Sequence, residues 1–120
     1  MGDFRNLEIW QEAHKLTLKI YQLTTQLPKS EIFGLVSQSR RASVSVESNL
    51  VEGNSRYSKK DKIQFFVIAR GSLAELKTQL LIIADLHPSL KTECNRLFER
   101  YSILEKRLNA FINYHRRIVK

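Results

Sequence analysis

The chain has 120 residues, 42% of them hydrophobic, which suits one domain, 1–120, with a core of its own. Twenty Lys and Arg against twelve Asp and Glu give a formal charge of +8, so a polyanionic partner such as nucleic acid becomes an expectation. Four Gly and two Pro supply too few turns for a sandwich or barrel, and the single Cys94 excludes an internal disulfide and fits a reducing compartment.

Apolar spacing predicts four helices, about 7–27, 31–53, 59–86 and 90–118. The first begins near Asn6, a plausible N-cap with Glu8 at the positive end of the dipole, and stops before Pro28. Its seam is Ile9, Ala13, Leu16, Ile20, Leu23 and Leu27, at alternating spacings of four and three, while Leu7 and Leu18 point away from it. The second helix, with Ser30 as its cap, has the seam Leu35, Ser39, Ala42, Val46, Asn49 and Gly53. Side chains this small demand a bulky neighbour, and Phe66, Leu73 and Leu80 of the third helix are the candidates.

A glycine stop at Gly53 and a capping-box-like Ser58 with Asp61 mark the next link. The third helix carries Phe66, Ala69, Leu73, Leu76, Leu80 and Ile83 inward, with Ile68, Ile82 and Leu86 on its far side, and so needs cover on two faces. After Pro88 and the candidate cap Ser89, Leu97, Tyr101, Leu104, Leu108, Phe111, His115 and Ile118 form the last seam. Short links make the simplest arrangement an all-α, antiparallel up-down-up-down four-helix bundle.

Three motifs in this order, Arg40-Arg41-Ala42, Ser48-Asn49-Leu50-Val51-Glu52-Gly53 and Gly71-Ser72-Leu73-Ala74-Glu75-Leu76, stand beside Phe4, Leu7, Trp10 and Ala13 near the start and Gln79-Leu80-Leu81 later. Together they resemble the bacterial four-helix-bundle family of proteins encoded in intervening sequences of 23S ribosomal RNA, with the accessory proteins of diversity-generating retroelements as structural cousins. The resemblance implies a ring-like homopentamer with a basic surface, nucleic-acid binding, and, in the retroelement branch, a reverse transcriptase as partner. Glu47 departs from the proline that many relatives carry just before Ser48-Asn49, which implies a straighter second helix here.

Self-association also follows from the residues. Leu18, Val44, Val51, Ile68, Ile82 and Leu86 lie off the seams and would expose more apolar surface than a monomer usually shows, so they are candidate subunit contacts.

Chemistry is thinly represented. A di-metal bundle site needs Glu with His three residues later on two helices, and no Glu here has that partner, so neither metal nor cofactor is expected. Cys94 has no neighbouring base, His115 reads as a structural core histidine, and no phosphate-binding glycine loop occurs; no catalytic residue is expected and the protein reads as non-enzymatic. Glu52, Glu75 and Asn49 read as partners of Arg40, Arg41 or Arg70, or as residues that fix packing register.

The remaining signal is basic. Arg56, Lys59, Lys60 and Lys62 surround Tyr57, offering charge for phosphates and a ring for an exposed base, and Arg116, Arg117 and Lys120 form a second cluster. In an up-down-up-down bundle both clusters fall at one end. The expected role is binding RNA or DNA through phosphate contacts; the alternative is an oligomeric adaptor for a protein partner such as a reverse transcriptase. Met1-Gly2-Asp3-Phe4 opens without a basic-then-apolar signal, and apolar runs such as Leu80 to Ala84 fall far short of the roughly 18 to 20 residues of a spanning helix. No membrane association and a cytoplasmic address are therefore expected.

Overall fold

The computed structural model describes residues 3–117, and Ile118 and Lys120 lie outside them. Four α-helices carry the fold: α1 (Glu8–Thr24), α2 (Ser37–Ser55), α3 (Lys59–Leu86) and α4 (Lys91–Arg117). No strand occurs among the described residues. The 28 residues of α3 at 1.5 Å each account for most of the long dimension of a molecule measuring 49 × 21 × 20 Å.

The start of α1 differs from expectation. Asn6 belongs to a 3-10 turn, Phe4–Asn6, which Asp3 caps by accepting from the Arg5 amide at 2.9 Å. Leu7 is then the N-cap of α1 and packs half-buried against the core, instead of pointing away from it. Beyond this point the seam is regular, with Ile9, Ala13, Leu16, Ile20 and Leu23 buried, and Leu27 buried just past the helix end.

Between Pro28 and α2 the backbone makes a 3-10 turn (Lys29–Glu31) and a π turn (Ile32–Val36) that leaves helical angles at Gly34. Ser30 sits inside the first turn and caps nothing; regular helix begins only at Ser37. The physical reason is Gly34, which resists helix at the position where the second helix should have nucleated.

Along α2 the buried residues are Ser39, Ala42, Ser43, Val46, Leu50 and Gly53. Leu50 takes the inward place expected of Asn49; the half-buried Asn49 instead turns its amide back on Ser45, donating to the carbonyl at 2.8 Å. Gly53 is helical and does not end α2, which runs two residues further. A β-carbon on Gly53 would overlap the Phe66 ring and crowd the Lys62 carbonyl at 3.1 Å, so this glycine sets how closely α2 and α3 approach.

The α3 seam is buried from Phe66 to Ile83, and its start is capped as expected, with Ser58 Oγ accepting from the Asp61 amide at 3.1 Å. Ser89 lies in a 3-10 turn, Pro88–Leu90, with Leu90 buried, and contributes no side-chain cap to that turn. In α4 Ile112 is fully buried and Phe111 only partly, a shift of one residue from the expected seam.

Polar pairs fix the register of neighbouring helices. Across α1 and α2, His14 Nδ1 lies 3.0 Å from Glu47 Oε2, Thr17 Oγ1 3.2 Å from Ser43 O, and Arg40 Nε donates to Thr24 Oγ1 at 3.0 Å. Ser45 and Ser72 share a hydroxyl hydrogen bond of 2.8 Å between α2 and α3. Arg70 donates to Asn109 and Lys77 to Glu105, each at 3.0 Å, between α3 and α4. Glu8 meets Arg107 and Glu12 meets Arg100 between α1 and α4. On every interface the numbers fall on one helix as they rise on its partner.

Candidate nucleic-acid interface

Phe66 organises the end of the bundle where the basic residues sit. Its ring lies against Gly53 near the end of α2, 4.9 Å from the Phe111 ring and 5.2 Å from His115 near the end of α4. His115 is buried, with Nδ1 2.8 Å from the Phe111 carbonyl, which fits a structural histidine. The ends of α2 and α4 therefore meet at the start of α3, and the exposed Arg116 and Arg117 follow directly on His115.

The loop cluster divides into two kinds of cation. Lys59 and Lys60 are exposed. Arg56 is exposed but anchored, its guanidinium 4.6 Å above the Phe65 ring and Nη2 donating to Glu52 Oε2 at 3.2 Å. Lys62 turns inward and donates to the Asn54 carbonyl at 2.9 Å, satisfying the end of α2; burial, and then the charge of Lys59, lowers its pKa. So Lys62 serves the fold where a phosphate contact was expected. Tyr57 stands 95% exposed among these charges. Lys120 lies outside the described residues.

Tyr114 is a further aromatic at this end. It is half-exposed, with its ring 5.4 Å from His115 and Arg117 three residues on. The sequence signal was present, an aromatic one residue from the helix seam and beside the Arg pair.

The other expected partners sort differently. Glu52 binds Arg56, Arg40 stacks 4.5 Å above the Tyr21 ring, and Arg70 binds Asn109. Arg41 and Glu75, both exposed, face each other across a groove of about 400 Å³ between α2 and α3, floored by Ala42, Ser45 and Ser72, with neither making an ion pair.

Of the candidate subunit contacts, Leu18, Val44, Ile68, Ile82 and Leu86 are exposed and Val51 is half-buried. Leu86 is the barest of these at 60%. Phe33, not anticipated, is 95% exposed on the π turn, at the end of the bundle away from the basic cluster, where Glu31 and His87 approach to 3.6 Å.

Reactive groups are few. Cys94 is buried, and burial followed by the charge of Glu93 pushes its thiol up to about 11, so it is protonated near neutral pH. The Tyr101 phenol is buried without a hydrogen-bond partner and is pushed far above its ordinary range by burial, then by Glu47 and Glu12. No group of three His, Cys, Asp or Glu among the described residues has the geometry to hold a metal ion. No helix among them is long and apolar enough to cross a membrane.

No curated protein matches the chain. A solved structure does: a protein of unknown function from the S23 ribosomal protein family of Bacteroides thetaiotaomicron VPI-5482, determined at 1.70 Å, matches with a TM-score of 0.77. The match covers 87% of this chain and 97% of that one at 17% identity, a likeness of fold. The family model described as 23S rRNA-intervening sequence protein matches residues 5–110. With nearly the whole bundle inside that match, the chain belongs to the 23S rRNA-intervening sequence protein family.

Proposed function

We propose that this protein is a non-enzymatic, self-associating bundle that binds RNA or DNA through phosphate contacts at its basic end. The observation that carries this reading is the convergence there of Lys59, Lys60, Arg116 and Arg117, all exposed, with Tyr57 and Tyr114 offering rings on which unpaired bases can stack. The helix order behind it is antiparallel up-down-up-down, supported by the falling partner numbers at all four interfaces. Self-association into a ring, a pentamer by the family resemblance, is supported by the outward apolar side chains. Such an assembly would repeat the basic end around a rim and multiply its phosphate contacts. A single cysteine, with no second one for an internal disulfide, suits a cytoplasmic address.

The test is a salt titration of binding to a fluorescent single-stranded RNA. Each lost phosphate contact flattens the slope of log K against log salt by about 0.7. The variant Arg56→Glu/Lys59→Glu/Lys60→Glu should bind more weakly with a slope flatter by about 1.4 to 2.1, the spread reflecting whether the anchored Arg56 contributes. Unchanged affinity and slope would remove this end as the binding surface.

One observation favours a second reading, an oligomeric adaptor for a protein partner such as a reverse transcriptase. Phe33 and Leu86, the two barest apolar side chains on α3 and the π turn, stand at the end opposite the charges, where nucleic acid has no use for them. RNA binding detected only with the partner protein present, and abolished by Phe33→Asp, would decide for the adaptor.

A further inference from the structure

Tyr57 contributes nothing to the packing of the bundle. Its side chain is 95% exposed and makes no hydrogen bond, ring contact or cation contact with any described residue. The neighbouring Arg56 stacks 4.6 Å above the Phe65 ring and leaves Tyr57 bare. Both faces of the Tyr57 ring are therefore open, in the short link between α2 and α3. A ring held in water forgoes the gain of burial, so the fold has no use for tyrosine at this position.

Tyr114 is the second open ring of this end. It is half-exposed, set against His115 with the two rings 5.4 Å apart and at 87°. Each tyrosine has an exposed cation three residues on, Lys60 after Tyr57 and Arg117 after Tyr114. On α4 that spacing makes ring and guanidinium surface neighbours. A ring face for a base beside a cation for its phosphate suits one unpaired nucleotide, and the unit occurs twice. The short dimensions of the molecule, 21 and 20 Å, bound the distance between the two units, so one strand of a few nucleotides reaches both.

A duplex cannot use the rings. Its bases are already stacked on one another, and duplex RNA is recognised by shape and by contacts across the minor groove, over about 16 base pairs in the domains that do so. Charge alone argues the other way. Each contact to duplex DNA releases about 0.9 of a counterion against about 0.7 for a single strand, so a merely cationic surface favours duplex. Rings and charges thus predict opposite preferences.

Resting on the phosphate-binding end read above, we propose that this end selects an unpaired strand of RNA or DNA over duplex, with Tyr57 and Tyr114 as the residues that discriminate. One base stacks on Tyr57 with its phosphate beside Lys60, and another stacks on Tyr114 beside Arg117.

Fluorescence anisotropy tests this with three probes: an unstructured RNA strand, the DNA strand of the same sequence, and the blunt duplex of that DNA. The RNA strand should bind at least about tenfold tighter than the duplex at equal salt. The DNA strand should bind within a few fold of the RNA, since a ring face does not read the 2′-hydroxyl. Tyr57→Ala should weaken single-strand binding by about fivefold to 150-fold, the range for one lost base stack, and leave the salt slope unchanged because no charge is removed. Tyr57→Trp should bind like the wild type, and Tyr114→Ala like Tyr57→Ala; duplex binding should be the same in all of them. A duplex bound as tightly as the strand, alanine variants that bind the strand unchanged, or a DNA strand that fails to bind would each overturn the ring site. Phosphate contact at this end would still stand if the Arg56→Glu/Lys59→Glu/Lys60→Glu variant lost affinity and slope. A protein that binds none of the three probes would take down that reading as well. If circular dichroism shows that Tyr114→Ala loses helix, Tyr57 decides alone.

Discussion

Gly53 and Cys94 show how single atoms set what the fold tolerates. At most mid-helix positions Gly→Ala stabilises by up to about 1 kcal/mol, because alanine has less backbone entropy to lose. At Gly53 the new methyl must displace the buried Phe66 ring and press on the Lys62 carbonyl, an overpacking cost of about 1–3 kcal/mol. The second effect wins over most of that range, so Gly53→Ala should lower the urea midpoint, with a net loss of up to about 2 kcal/mol. A raised midpoint would show that Phe66 rotates away freely. Cys94 makes a chemical prediction. Its thiol is held neutral in the fold with a pKa of about 11 against 9.0 as the ordinary value, so the fold favours the protonated form. That contribution to stability is complete below pH 9 and is lost as pH rises through 11. A thiol-specific disulfide reagent at pH 8 should therefore label the native protein far more slowly than the urea-unfolded chain. Equal rates would place the sulfur within reach of solvent.

The helices themselves differ in how far their residues announce them. In α1 and α3 large aliphatic residues recur at three and four, and every expected inward residue of the α3 seam is buried. The spacing could be read because volume and hydrophobicity varied together. In α2 they do not. Four of its six inward residues are Ser39, Ala42, Ser43 and Gly53, and a small polar residue looks the same on either side of a helix, so the spacing favours Asn49 where Leu50 belongs. Phe111 and Ile112 were exchanged for a related reason: a repeat of 3.5 drifts against a helix of 3.6, and near the chain end both residues touch the core. The π turn was illegible, since Gly34 in an apolar run reads as a weak helix and not as a change of winding. In the candidate site the charges were plain in the sequence, but nothing local said that Lys62 folds back on the Asn54 carbonyl. Caps are the exception, because Ser58 and Asp61 lie within one turn. Ser58→Ala should cost about 1 kcal/mol by urea denaturation and speed amide exchange at Asp61. Unchanged exchange there would mean that the start of α3 is held by packing alone.

At the scale of the whole molecule the question is whether its charge acts in bulk or by place. A formal charge of +8 attracts any polyanion, and binding to RNA by itself would not single out one end. Two double variants separate the cases because they change the net charge equally. Arg116→Glu/Arg117→Glu alters the end where α2, α3 and α4 meet, while Lys15→Glu/Lys19→Glu alters exposed positions midway along α1. Screening over about 8 Å at physiological salt confines each change to its own neighbourhood. Contact at the basic end predicts that the first variant weakens RNA binding and flattens the salt slope by about 1.4, two contacts at about 0.7 each. The second should leave both nearly unchanged. Equal losses in the two would mean a diffuse field with no site, and a larger loss from Lys15 and Lys19 would move the site to α1. The two variants carry the same net charge, so once circular dichroism shows equal helix content, any difference in their RNA binding belongs to where the charges stand.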